Sequence, residues 1–394
     1  MKVLQINSCY GIFSTGKIVK DLENIIIASG DECKCIFGRS GKTSKNSFKF
    51  NNAIDKYIHV SLSRITDKSG MYSHGATKKM IEFIKKYSPD IIHLHNIHGY
   101  YLNIEILFDF LKEYNRPVVW TLHDCWSFTG HCSHFDFIGC DKWKSGCFAC
   151  PQKKQYPSSI LCDNSKNNYN IKKHLFTSLN KAFIVTPSEW LGNLVKQSYL
   201  NKYPINVINN GIDTGVFKPK YGNVKEKYGL KNKKVVLGVA STWDSGKGLN
   251  DFVKLSKQLS SEYKIVLIGL DDRQKKQIPN EITGISRTAN AEELAKWYTA
   301  ADVFVNPTYE DTYPTVNLEA QSCGTYVISY DTGGCKETIA HGCGETVDRG
   351  DINELLKRIM QKVQRVDINS EIFDKSNCFK KYLNLYNSLI NGKE

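Results

Sequence analysis

No apolar run in this chain is longer than a β-strand, which excludes a membrane-spanning helix of about 20 residues. The opening stretch, MKVLQINSCYGIFSTGK, turns polar too early to supply the apolar middle of a secretory signal, so a cytoplasmic location is expected. Zinc-finger, RRM and KH signatures are also missing. The lysines come as scattered pairs (Lys78 and Lys79, Lys85 and Lys86, Lys153 and Lys154, Lys233 and Lys234) rather than as one basic run with interleaved aromatics. No nucleic-acid partner is therefore expected, although a net charge of +13 favours something anionic, such as an acidic lipid surface or a phosphorylated small molecule. With 41% hydrophobic and 24% charged residues, the disordered and fibrous classes are excluded as well. Cysteine, by contrast, is plentiful. In a reducing compartment, 13 cysteines point to metal ligation or free thiols ahead of disulfides.

A single core stops growing near about 250–300 residues, so 394 residues are expected to form two domains. Short β-rich runs alternate with segments of helical period from end to end, the pattern of a doubly wound α/β architecture. KVLQIN, ECKCIFG, DIIHLHN, PVVWTLH and KAFIVTP read as strands of a first domain, residues 1–205, and KVVLGVA, KIVLIGL, DVFVNPT and TYVISYD as strands of a second, residues 206–370. Residues 371–394 read as a helical tail that packs back toward the first domain. GIDTGVFKPKYGNVKEKYGLKNK, rich in Gly and Lys, reads as the linker. Open parallel sheets bind ligands outside the carboxyl ends of their strands, so two Rossmann-like sheets facing across a cleft are expected, with the chemistry just after strands.

Several candidates stand there. Gly11 and Gly16 come after the first strand and precede a helix start that would favour an anion, although the spacing is neither a dinucleotide fingerprint nor a P-loop. His93, His95 and His98 come after DII, and His123, next to Asp124, after PVVWTL. Such histidines suit proton transfer or hydrogen bonding to sugar hydroxyls, while His93 and His95 are equally readable as a satisfied core pair. Ser241, Lys247 and Gly248 lie between a strand and a helix, where lysine can meet a diphosphate. NPTYEDTYPTVNLEAQSCG presents Glu310, Asp311 and Glu319, carboxylates able to take hydrogen bonds from vicinal hydroxyls.

Together these residues resemble the GT-B glycosyltransferases of family 4, in particular the bacterial group that builds colanic-acid-like capsules, O-antigens and exopolysaccharides. The resemblance covers nearly the whole chain. It rests most on SPDIIHLHN, VVWTLHDCW, VINNGIDTGVFKP and PTYEDTYPTVNLEAQSCGTYVISYDTGG. It implies retaining transfer of a sugar from a UDP- or GDP-linked donor, held by the second domain, to a lipid-linked glycan acceptor on the side of the first. By the same resemblance Glu319 binds the ribose hydroxyls, Asp311 the donor sugar and Lys247 the diphosphate. Ser241, Glu310, Asn317 and Gly16 are further donor contacts, His123 and Asp311 serve the reacting centre, and His93 and His95 lie on the acceptor side. The family's first acidic residue is usually glutamate, and its arginine ahead of the lysine is replaced here by Ser241 and Thr242.

The chemistry that the resemblance implies is attack of the acceptor hydroxyl on the leaving group's face, with the departing diphosphate oxygen taking the proton and no cofactor required for transfer. A non-catalytic sugar-nucleotide-binding partner in an assembly complex is the alternative, and peripheral contact with an anionic inner membrane is the expected setting. Behind His123, the loop CWSFTGHCSHFDFIGCDKWKSGCFAC, residues 125–150, holds Cys132, Cys140, Cys147 and Cys150 in a spacing that suits structural zinc, with His131 or His134 able to replace a thiolate. Free or partly buried thiols, an iron–sulfur cluster and disulfides remain the other readings.

Overall fold

A computed structural model describes residues 1–361 and 364–392. Residues 362–363 of the expected second domain and 393–394 of the expected tail lie outside the described residues. The chain divides into two compact units, Met1–Asn209 with Phe379–Glu394, and Asn210–Cys378.

In the first unit, β1 (Lys2–Tyr10), β2 (Glu32–Gly41), β3 (Ser47–Lys49), β4 (Ile91–Leu94), β5 (Val118–Thr121), β6 (Ala182–Thr186) and β7 (Ile205–Val207) form one sheet in the order β3-β2-β1-β4-β5-β6-β7. In the second unit, β8 (Lys234–Val239), β9 (Tyr263–Ile268), β10 (Ile282–Ile285), β11 (Val303–Asn306), β12 (Val327–Tyr330) and β13 (Gly344–Val347) are ordered β10-β9-β8-β11-β12-β13. Every strand pairing within the two sheets is parallel. Strands covered by helices on both faces are largely apolar, and β4, β5, β11 and β12 are buried at every position, the polar His93, Thr121, Asn306 and Ser329 included. In β8, Val235 and Leu237 join one apolar cluster and Val236 another, as the two-residue period of a strand requires.

Both sheets are doubly wound α/β, and each reverses its strand order once, at β1/β4 and at β8/β11. A reversal leaves a crevice at the carboxyl ends, because the two flanking connections depart to opposite faces. The residues placed beside those ends are Gly11–Gly16 and His95 in one unit, and Ser241–Lys247 and Thr308–Asp311 in the other.

The structure differs from the sequence-based expectation in several places. The edge strands β3, β7, β10 and β13 are additional, because segments of three or four residues carry too few side chains for a legible period. The expected linker is not a free tether: Ile212, Phe217, Val224 and Leu230 are buried in the second unit's core, and Ile212 pairs with Asp374. The helix Ala53–Thr66 is also additional. Asn52 caps it by accepting from the Asp55 N–H, but its large apolar residues point outward and only His59 and Ser63 are buried, the reverse of the usual amphipathic signal.

The tail forms the helix Lys375–Asn391. From Phe379 onward it belongs to the first unit, where Tyr382 Oη lies 2.9 Å from Thr121 Oγ1 and Tyr386 Oη 2.6 Å from His93 Nδ1.

Candidate active site

In the second unit the turn after β8 and the loop after β11 are fastened together. Asp244 accepts from the Lys247 N–H at 3.0 Å, closing a short turn, and Gly248 then takes a left-handed φ of 72°. A β-carbon at Gly248 would stand 2.2 Å from the Pro307 carbonyl oxygen, so only glycine lets the two segments approach. The Tyr309 N–H donates to the Gly246 carbonyl at 2.7 Å, and Thr308 Oγ1 to the same carbonyl at 3.1 Å.

This fastening sets Lys247 against the acidic loop. Its Nζ donates to Asp311 Oδ2 at 2.7 Å and to the Glu310 carbonyl at 3.1 Å. Burial opposes the ammonium charge, but the Asp311 carboxylate more than offsets it and holds the Lys247 pKa above its ordinary value. The lysine side chain remains 34% exposed, so the pair is open to a ligand. Asp311 Oδ1 accepts from the Tyr313 N–H, and the Asp311 carbonyl from the Gly334 N–H. Next to it, Glu310 Oε1 is buried without a hydrogen-bond partner among the described residues. A buried carboxylate oxygen left this way is costly unless a donor arrives, and sugar hydroxyls are donors.

The remaining second-unit candidates are distributed differently. Glu319, on the helix Thr315–Ser322, accepts from Tyr298 Oη at 2.8 Å. Asn317 is wholly buried, where its side chain bridges Asn306 and Thr338 at 3.0 and 2.8 Å, an internal brace between β11 and a later turn. Ser241 is exposed just past β8. Asp251 is a residue that the sequence does not single out: buried on the helix after Gly248, it accepts from Tyr309 Oη at 2.6 Å and Tyr330 Oη at 3.0 Å, and so anchors the acidic loop from beneath. Acidic residues on helices are too common for its role to be visible in sequence.

In the first unit three histidines form a series, buried at His93 and His95 and half-buried at His123. His93 Nε2 lies 2.8 Å from Thr121 Oγ1, its ring is 4.0 Å from that of His95, and His95 Nδ1 lies 3.1 Å from His123 Nε2. Gln5 decides the tautomers. Its amide nitrogen donates to the Val19 carbonyl at 3.0 Å, so its oxygen faces His95 Nε2 at 3.1 Å and that nitrogen must carry the proton. A neutral His95 then accepts through Nδ1, so His123 donates from Nε2 and keeps its lone pair on Nδ1. Burial supports the neutral form: it drives the His95 pKa well below its ordinary value and that of His123 down to about 4. Asp124, although burial raises its pKa, is held to about 2 by His98, whose Nε2 lies 2.8 Å away.

Gly16 is buried in the helix Phe13–Ala28, where a β-carbon would press on the Cys9–Tyr10 backbone at 3.2 Å, and its carbonyl accepts from the Gly11 N–H. The expected metal residues Cys132, Cys140, Cys147 and Cys150 line a single cavity. Among the described residues no group of three or more His, Cys, Asp or Glu side chains is gathered as a metal site.

Comparison with known proteins bears on the fold and the family. The glycosyl transferases group 1 model matches residues 233–365, and the Glycosyltransferase Family 4 model matches residues 19–216, half of the chain. The protein named as the colanic acid biosynthesis glycosyl transferase WcaC of Escherichia coli (strain K12) is 24% identical over 418 aligned positions, which cover 99% of this chain and 100% of that one. Among solved structures, sucrose-phosphate synthase from Thermosynechococcus elongatus superposes with a TM-score of 0.73 at 17% identity, over 100% of both chains. Anabaena HepE in complex with UDP-glucose superposes with a TM-score of 0.67 at 16% identity, over 98% of this chain and 100% of that one. These likenesses establish the GT-B fold, and the match across half its length makes this chain a member of Glycosyltransferase Family 4.

Proposed function

We propose that this glycosyltransferase moves a sugar, with retention of anomeric configuration, from a nucleotide diphosphate sugar to a growing, lipid-linked surface polysaccharide. The observation that carries this reading is the Lys247–Asp311 pair beside Glu310, whose buried Oε1 has no hydrogen-bond partner among the described residues, at the switch point of the second sheet. Lysine meets the diphosphate as a point charge, and carboxylates take the donor's hydroxyls: Glu319 those of the ribose, Asp311 and Glu310 those of the sugar. The complex of HepE with UDP-glucose supports a nucleotide-sugar donor, and the name of WcaC supports a polysaccharide product.

In the reaction the bond from the anomeric carbon to the acceptor oxygen forms as the bond to the diphosphate oxygen breaks. The acceptor's proton passes to that departing oxygen. Lys247 stabilises the charge that develops on it, and His123, neutral and with its lone pair on Nδ1, accepts a hydrogen bond from the transferred sugar. A panel of UDP- and GDP-sugars with product analysis tests the reading. Transfer or slow hydrolysis of one donor is expected, and the His123→Ala variant should lose about 10²-fold in turnover as the sugar loses its orientation. Donor binding with neither transfer nor hydrolysis favours the non-catalytic alternative, and normal turnover of the variant removes His123 from the site.

The outward face of the helix Ala53–Thr66 supports a peripheral membrane setting. Ile54, Tyr57 and Ile58 are 72%, 71% and 54% exposed, and Leu62 and Ile65 extend the stripe. The Ile160 N–H donates to the Arg64 carbonyl, which carries the stripe into the exposed Ile160 and Leu161, and Arg64, Lys68 and Lys154 stand exposed alongside. Apolar residues rimmed by cations suit an anionic bilayer surface. Vesicles containing anionic lipid should sediment the protein, and Tyr57→Glu with Ile58→Glu should abolish this. Equal sedimentation of that variant would refute the surface.

A further inference from the structure

The long connection from β5 to the helix Ser165–Phe176 contains only two short 3-10 turns, Trp126–Phe128 and Lys142–Lys144, yet much of it is buried. Its cavity gathers Cys132, Cys140, Cys147, Cys150 and His131, none of which the transfer reaction uses. We propose that this cavity binds one thiophilic divalent cation of zinc's class, with thiolates from Cys132, Cys147 and Cys150 and the imidazole Nε2 of His131 as its four donors.

His131 is the observation that points to a ligand. It is 2% exposed, and its Nδ1 lies 2.5 Å from Asp67 Oδ1, a carboxylate itself buried and fixed by the Asn164 N–H on its other oxygen. A carboxylate only accepts, so Nδ1 carries the proton and Nε2 holds the donor pair of a neutral ring. That Nε2 is buried and has no hydrogen-bond partner among the described residues. Carboxylate, imidazole and then metal is the usual way a ligating histidine is oriented.

The sulfurs line the same cavity as His131, and the Gly130 N–H donates to Cys147 Sγ at 3.1 Å. Cys147 and Cys150 form the knuckle of a Cys-x-x-Cys pair. Three soft sulfurs and one imidazole select zinc-like ions over magnesium or calcium, which require oxygen ligands. Since the side chains are not yet gathered as a metal site, binding requires the thiols to lose their protons and rotate inward. The metal would then brace the segment that begins at His123 and Asp124.

Metal analysis of the full-length protein, purified without chelator, tests this directly. About one zinc per chain is expected, and cobalt reconstitution should give the intense thiolate-to-metal absorption of a tetrahedral sulfur site. Cys150→Ser and His131→Gln should each lose most of the metal, whereas Cys140→Ser should keep it. Should those variants fold poorly, chelation of the unmodified protein provides the second reading: its melting temperature should fall on metal removal and recover on zinc addition. Trace metal with no rebinding, a Cys132–Cys150 disulfide in freshly purified protein, or full metal content in Cys150→Ser would each overturn the proposal.

Discussion

Replacing Lys247 by methionine lowers kcat/KM for the nucleotide-sugar donor by about 10²–10³-fold, the loss found when one preorganised donor to a developing oxyanion is removed. The expectation is large because Ser241 and Thr242, which stand where the family carries an arginine, bring no second charge to the diphosphate. One ammonium therefore carries the work that is usually shared. Methionine keeps most of the aliphatic volume, and the lysine side chain is 34% exposed, so the fold should be little disturbed. If Lys247 stabilises the leaving diphosphate, the loss falls on kcat; if it only holds the ground state, KM rises and kcat is kept. Lys247→Arg should recover part of the activity, since arginine keeps the charge but its planar fork does not reproduce the short contact to Asp311. A Lys247→Met enzyme within about threefold of the unmodified kcat/KM would show that backbone N–H groups bind the diphosphate on their own.

That charge arrangement is legible in the sequence because strand ends are legible. Continuous apolar runs such as VVLGV and DVFV mark buried parallel strands, and the residues directly after such a run must stand at the carboxyl edge of the sheet. Lys247, Asp311 and His123 are marked as candidates in this way. The pairing of buried polar residues, by contrast, is not legible. Asn317 sits between two expected donor contacts in sequence, yet helical geometry turns it toward Asn306 and Thr338 and away from the Glu319 side. Gln5 is one polar residue inside a strand, and only a three-dimensional neighbour, His95, gives it a function in fixing a tautomer. The helix Ala53–Thr66 is hidden for the complementary reason: its apolar stripe serves an outside surface, so there is no inward-facing period to detect.

Lowering the pH from about 7 to about 5 should cost the first unit at least about 4 kcal/mol of stability, enough to threaten a fold of ordinary stability. Four histidines there are held neutral. Burial drives the His93 and His95 pKa values well below their ordinary range, that of His123 to about 4 and that of His59 to about 3. Hydrogen bonding agrees for His59, whose Nε2 accepts from the Gly70 N–H at 3.2 Å and so has no place for a second proton. In the unfolded chain each titrates near about 6.5, so between that value and the folded pKa the unfolded state binds more protons, and stability falls as the pH falls. His59 and His123 each contribute roughly 2 kcal/mol of loss by pH 5, and His93 and His95 add to it in the same direction. Asp124, held at about 2, stays ionised throughout this range and adds no slope. Urea melts at the two pH values should show the midpoint dropping on acidification, with net proton uptake on unfolding. His95→Gln, if folded, should flatten the dependence, because it removes one neutral ring and relieves its two neighbours. An unchanged midpoint across this range would mean that the histidines take up protons in the folded chain as readily as in the unfolded one, and the tautomer order from Gln5 to His123 would fall with it.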